Sequence, residues 1–581
     1  MGGHAAKSGE PRRKQGGRAV EWAMRARQRP VDHGRVWVRR AAAWGLAAAL
    51  CAGAGAQTKT APDNSKAKGP GTGQSAGKST GETVITPEQA KELFASVDTI
   101  MKFDSQDSGL PIESEVKRQL TSRAAVEKYL EEKFNDDQDS KRLERDEIVL
   151  KKFGLLDRDF ELKPFLLALL KEQIEAYYDT KTKTVNLLNW IQPDEQKPVL
   201  AHELTHALQD QHSGLDQWSN QTPEDVSTTA AGDEEHLEKD EMDTARDAVA
   251  EGQATAVMTD YVLKPLGKSL IKDPEVIDVL RDHMAASSDS PVMARAPLLL
   301  SESMLFPYRD GLSFEQDIWM DQGQTAAFAG TLNRPPRSTW EILNPLDYER
   351  KLMPPVPLMP DIHPLLDKLY RPYDIGQVGE LDVKILTQLL GGEDKSRDLT
   401  SAWDGGMYWA GQLKSATGAA LDSTKSLALF YLSVWRSPAS AQEFAQVYAN
   451  NLGRKYLSVK PDTAAQANGL TENGSVEQDY MTEEGPVAIT VRGSTVFVAE
   501  SFPLDVERKL ASLILDAQGG GQMQMTEVET PAWLLEQPPM GGVPATGLGE
   551  PLSGAFVRFF ASCGVMKDAV EAEMEAARLS H

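Results

Sequence analysis

His202-Glu203-Leu204-Thr205-His206-Ala207-Leu208-Gln209-Asp210-Gln211-His212 is the stretch whose reading decides the architecture around it. Two histidines four apart on a helix lie on one face, where their imidazoles can hold a single metal ion. Glu203, beside the first of them, falls where a carboxylate can take a proton from water activated by that metal. With 9 His and 86 acidic residues among 581, a chance His-acid-x-x-His is expected in roughly one or two chains in a hundred of this composition. A solvent-facing histidine pair is therefore the weaker reading. Leu200, Leu204, Ala207 and Leu208 make a separate apolar stripe, so the same helix has a face to bury.

A catalytic zinc takes three protein ligands and keeps one position open, and two residues compete for the third place. His212 stands ten residues after His202, which is the histidine spacing of the metzincin pattern. That pattern relies on a glycine to turn the chain back to the metal, and here the position is Gln209. On a continuing helix His212 lies about 9 Å beyond His206. The second candidate, Glu251, sits in Asp247-Ala248-Val249-Ala250-Glu251-Gly252-Gln253-Ala254-Thr255, on a helix expected from Asp243 to Val262. Ala254 and Met258 share its face, and Gly252 beside it suits close packing against another helix. The bland alternative is an exposed helix glutamate. Asp210, one turn after His206, is a candidate to orient a ligand imidazole, and Asp247, one turn before Glu251, is a second residue placed for such a role.

Upstream of the motif, Ala176-Tyr177-Tyr178 and Val185-Asn186-Leu187-Leu188 flank Asp179-Thr180-Lys181-Thr182 and read as a hairpin. From Ser213 to Glu241 the chain is polar and acidic without a period, which reads as a surface excursion with His236 exposed in it. Thr86-Pro87-Glu88 opens a helix by capping chemistry. Further on, Leu427–Trp435 reads as a strand, Pro438–Asn450 as a helix, Val487–Val491 and Val496–Val498 as a hairpin, and Asp505–Leu515 as a helix. Trp403, Tyr408 and Trp409 read as core aromatics or as a contact surface, the former being the usual fate of large rings.

Arg35, Arg39 and Arg40 precede the apolar run Ala41–Leu50, and Ala54-Gly55-Ala56 fits a cleavage site before Gln57. This implies export to the periplasm or the cell exterior. The run is too short to span a bilayer, so no transmembrane segment is expected in the mature chain. The net charge of −24 repels a phosphate backbone and argues against nucleic acid as the main partner.

HELTHALQDQH followed by AVAEGQAT resembles the gluzincin type of zinc peptidase, and specifically an uncharacterised group of exported bacterial HExxH proteins. The likeness covers residues 110–450, including EQIEAYYDTKTKTVNLL before the zinc helix, FPYRDGLSF at 306–314 and PPRSTWEILNPLDY at 335–348. It implies His202, His206 and Glu251 as Zn²⁺ ligands, Glu203 as general base, and a peptide or protein substrate. It further implies an α+β fold: a helix-rich zincin-like catalytic domain whose small sheet lays an edge strand beside the cleft, with Thr184–Leu188 as the candidate. Tyr308 and Arg309 are candidate oxyanion donors. This chain departs from the likeness at Asn344, where a histidine is expected, and in the 44 residues separating His206 from Glu251. The division expected is a signal peptide over 1–56, a flexible linker over 57–84, the metallopeptidase domain over 85–375, a smaller α+β domain over 376–530 and a tail over 531–581. The function expected is a secreted zinc-dependent peptidase. The alternatives are a decayed zincin acting as a secreted binding protein, or a metzincin-like site using His212.

Overall fold

The computed structural model describes residues 84–519, apart from 135–136, 174–175, 224, 287–290 and 464–474, together with 526–527. The expected signal peptide, nearly all of the linker, and the tail lie outside the described residues.

The fold is α+β, with a three-stranded sheet and a separate seven-stranded one. Helix α1 (Pro87–Ser108) starts as its sequence requires: Thr86 and Gln89 form a reciprocal capping box, Pro87 occupies the first turn, and Gly109 closes the helix at φ 74°. Strand β1 (Lys117–Thr121) and helix α2 (Asp137–Phe153) follow. The expected hairpin is present as β2 (Ala176–Asp179) and β3 (Thr184–Leu188). Its role in the sheet differs from expectation. The strand order is β1-β3-β2, with β1 pairing parallel to β3, so Thr184–Leu188 is the central strand and is buried along its whole length. The edge is β2.

Helix α3 (Pro193–Ser213) carries the His-Glu-Leu-Thr-His motif and ends on Gly214 at φ 66°. Every residue from Val199 to Asp210 is buried, so this is a central helix surrounded on all faces. Helix α4 (Ala230–Leu263) is continuous over 34 residues and is capped by Thr229. It thus begins well before Asp243, and the second half of the supposed surface excursion is helical, with His236 buried. The acids of that half are held by distant partners. Asp233 meets His363 at 3.1 Å, Glu241 accepts from the Thr339 backbone (2.9 Å) and hydroxyl (2.6 Å), and Asp243 accepts from the Gln221 N–H at 2.7 Å. Satisfied in this way, buried carboxylates are tolerated.

Helix α5 (Leu298–Gln322) crosses α4 where two glycines meet. A Cβ on Gly252 would stand 2.4 Å from the Gly311 carbonyl, and one on Gly311 would stand 2.1 Å from the Ala248 carbonyl oxygen. The expected close packing beside Glu251 is therefore present, and it fixes how deep α4 sits. Gly252→Ala is expected to force the two helices apart and lower stability by about 1–3 kcal/mol or more. The check is a thermal melt.

The seven-stranded sheet is built from β4 (Tyr370–Gln377), β5 (Trp403–Leu413), β6 (Leu427–Trp435), β7 (Val459–Pro461), β8 (Val476–Thr482), β9 (Gly485–Arg492) and β10 (Thr495–Glu500). Its order is β4-β5-β6-β10-β9-β8-β7. Strand β6 alternates between two cores: Leu427, Leu429 and Tyr431 face one, while Ala428, Phe430 and Leu432 face the other. Helices α6 (Glu380–Gly391) and α7 (Pro438–Asn450) cover the first face, and α8 (Leu504–Ala517) covers the second. Trp403 and Trp409 are buried core rings. The division expected at 376 falls inside β4. Leu381 and Ile385 of α6 join the core around α3–α5, and Val383 and Leu386 join the core of the sheet.

Candidate metal centre

Helix periodicity sets His202 and His206 one turn apart, and their rings stand nearly perpendicular (86°) with centroids 4.7 Å apart. Their Nε2 atoms are 3.1 Å apart, and Oε2 of Glu251 on α4 lies 3.1 Å from the first and 3.3 Å from the second. None of the three residues is more than 3 % exposed. This triangle is hard to explain by hydrogen bonds. Two Nε2 atoms and an ionised carboxylate oxygen supply at most two protons, so at least one of three short edges has no hydrogen along it. A shared cation removes the conflict, and three zinc-type ligands at about 2.0–2.1 Å in tetrahedral array stand about 3.3 Å apart. The residues fit a metal.

Charge follows the same geometry. Burial would raise the Glu251 carboxyl, but the His206 and His202 imidazoles hold it at about 2. Burial disfavours a charged His206 ring, yet Glu251 carries it up to about 9, while burial lowers His202. A divalent ion would take over the charge balance that this proton provides.

Glu203 is buried but stands outside the triangle. Its Oε2 accepts the Tyr178 N–H of β2 at 2.7 Å, and its Oε1 has no hydrogen-bond partner. Burial pushes this carboxyl up to about 7, with His206 opposing.

Gln209, not Asp210, is the residue that meets a ring of the triangle. Its Oε1 lies 2.8 Å from His206 Nδ1, and its Nε2 donates to the Ala250 carbonyl and Gln253 Oε1, both at 2.9 Å. With its amide thus fixed, Gln209 accepts from Nδ1–H and leaves Nε2 to face the metal position. Gln253 in turn donates to the Ala327 and Phe328 carbonyls, both at 3.0 Å, in the π-helical turn Ala326–Gly330. Gln209→Leu is expected to weaken metal binding about 10–100-fold with the fold intact, as read by competition with a chromogenic chelator. Asp210 accepts from Tyr178 Oη (2.8 Å), Lys183 Nζ (2.6 Å) and the Leu215 N–H (3.2 Å). It ties the hairpin to α3, because four residues beyond His206 it points along the helix toward β2.

The remaining candidates separate cleanly. Helix α3 continues through His212, whose imidazole pairs with Asn333 Oδ1 at 3.3 Å and lies outside the ligand group. Tyr308 is buried with its ring centroid 6.4 Å from that of His202. Arg309 is held by Asp310 (2.7 Å) and Glu302 (3.1 Å) and lines a cavity with Arg281 and Asp317. Asn344 donates to Glu380 Oε2 at 2.7 Å. Asp247 is buried one turn before Glu251 and lines a cavity of about 380 Å³ with His236, Asp240, Glu241, Pro307 and Asp382. Burial pushes the Asp240, Glu241 and Asp382 carboxyls upward, the last to about 7.

Comparison with protein-family models, with curated proteins and with solved structures gives no match. Among the described residues, no helix is long and apolar enough to cross a membrane.

Proposed function

We propose that the chain is an exported zinc peptidase of the gluzincin type, with His202, His206 and Glu251 as ligands and Glu203 as general base. One observation carries this reading: three ligand atoms at mutual distances of 3.1–3.3 Å stand beside a buried carboxylate with an unpartnered oxygen. Three protein ligands, not four, leave a coordination position open for reaction. Two imidazoles with one carboxylate are a zinc set that iron(II) shares, and the Glu203 carboxyl next to the first ligand is what favours the zinc reading. Zinc held there would polarise a scissile carbonyl and acidify water.

The chain's own groups supply the rest. Glu203 Oε1 takes the proton of the attacking water and returns it to the leaving amine, while the Tyr178 N–H holds Oε2 and keeps the carboxylate in place. Strand β2 is an edge of the three-stranded sheet, and an extended peptide would lie along its outward main-chain groups other than the Tyr178 N–H, which Glu203 occupies. Tyr308, whose ring centroid lies 6.4 Å from that of His202, is the candidate for the oxyanion donor.

Hydrolysis of an unstructured polypeptide by the mature chain, lost with a zinc chelator and restored by zinc, is the expected result. The deep burial of the ligands favours one other reading, a metal that only braces α3 against α4. Metal retention without any cleavage would support that reading and overturn the peptidase.

A further inference from the structure

A second group of buried acids lies on the seven-stranded sheet, in a part of the fold that the metal centre does not use. Glu477 and Asp479 are two apart on β8 and so share a face. Helix α8 brings Glu507 onto them. One carboxylate oxygen from each of the three lies within 4.8 Å of the others, and the residues are 8 %, 1 % and 1 % exposed.

The charges there do not balance. Arg508 donates to Glu477 Oε1 from Nη2 at 2.9 Å and from Nε at 3.1 Å, and its Nη2 is 3.8 Å from Asp479 Oδ2. The neighbouring cations are engaged elsewhere, Lys509 with Asp505 and Arg492 with Asp516. With all three ionised, one guanidinium would leave two negative charges uncompensated in a largely buried site, and burial together with the neighbouring acids pushes Asp479 up to about 7 and Glu507 up to about 8. Glu507 is the residue that points to a ligand. Neither of its carboxylate oxygens has a hydrogen-bond partner, although it is directed into the group and almost wholly buried. An ionised carboxylate in that position needs a cation.

We propose that Glu477, Asp479 and Glu507 bind a divalent cation of the calcium class. The donors are all carboxylate oxygens, which suit a hard ion and not zinc. An ion that binds oxygens at 2.3–2.6 Å can gather atoms up to about 4.8 Å apart, and it accepts water at its remaining positions. The residual charge of two is the charge of the ion. Bound there, it fastens α8 to β8 across the end of the sheet, and its effect is on stability and not on the chemistry at Glu203.

The test uses the full mature chain loaded with zinc, with Ca²⁺ as the probe. In about 5 mM Ca²⁺, above the ~10⁻⁴–10⁻³ M dissociation constants of extracellular calcium modules, the melting temperature should rise by about 2 °C or more. Calorimetry should show one Ca²⁺ bound. Glu507→Gln should abolish both signals, and should raise the calcium-free melting temperature by removing an unbalanced charge. Should that variant fail to fold, Asp479→Asn serves in its place. His206→Ala should keep the calcium response, which separates this site from the first. No calcium-dependent shift in the wild-type chain, or an undiminished shift in the folded variant, overturns the proposal. An equal shift with Mg²⁺ overturns the assignment to calcium.

Discussion

Replacing Glu203 with Gln is expected to lower turnover by about 10²–10⁴-fold, the usual worth of a positioned general base, while zinc stays bound. The substitution is nearly isosteric. Its amide oxygen can still accept the Tyr178 N–H that now reaches Oε2 at 2.7 Å, so the local backbone has no reason to move. What is lost is the second oxygen, Oε1, which is buried and without a hydrogen-bond partner and is the atom that would carry the proton. The ligand triangle does not include Glu203, so metal content should be unchanged. Hydrolysis at the wild-type rate would remove Glu203 from the mechanism. Loss of metal together with activity would make it a structural residue.

Glu251→Ala is expected to weaken zinc binding by more than about 100-fold, beyond the effect of losing an outer hydrogen bond. It removes one of three ligand atoms and the only anionic one. The two histidines that remain lie at 0 % and 3 % exposure, where water reaches the vacated position poorly. His212→Ala should leave zinc in place, since that imidazole is turned to Asn333. Metal titrations of both variants decide the third ligand, and the reverse pattern would replace the gluzincin arrangement by a metzincin-like one.

The parts of this structure that were readable in the sequence are those whose signal is local. Leu427–Trp435 and Pro438–Asn450 have the bounds that their apolar patterns predict. Thr86 and Pro87 start a helix because capping needs only neighbours. His202 and His206 follow from helix spacing, and Gly252 announced the close crossing of α4 and α5. The first half of α4 was hidden because its buried acids are satisfied by His363, Thr339 and Gln221. Two of these lie about a hundred residues or more away, and none leaves an apolar period. Strand β1 was hidden for a related reason. Lys117, Arg118 and Gln119 do not read as a strand, yet their pairing with Thr184–Asn186 moves β3 from edge to centre. Gln209 was read only as a residue that is not glycine. Its work on His206 depends on the Ala250 carbonyl and Gln253, 41 and 44 residues further along, and on how one amide is turned.

X-ray absorption at the zinc edge of the purified full chain tests the centre most directly, because it reads the metal and its donors together. The expected result is one zinc per chain with two imidazoles and oxygen donors at about 2.0–2.2 Å and no sulfur. A chain without zinc, or a zinc with a third imidazole in place of the carboxylate, would contradict it.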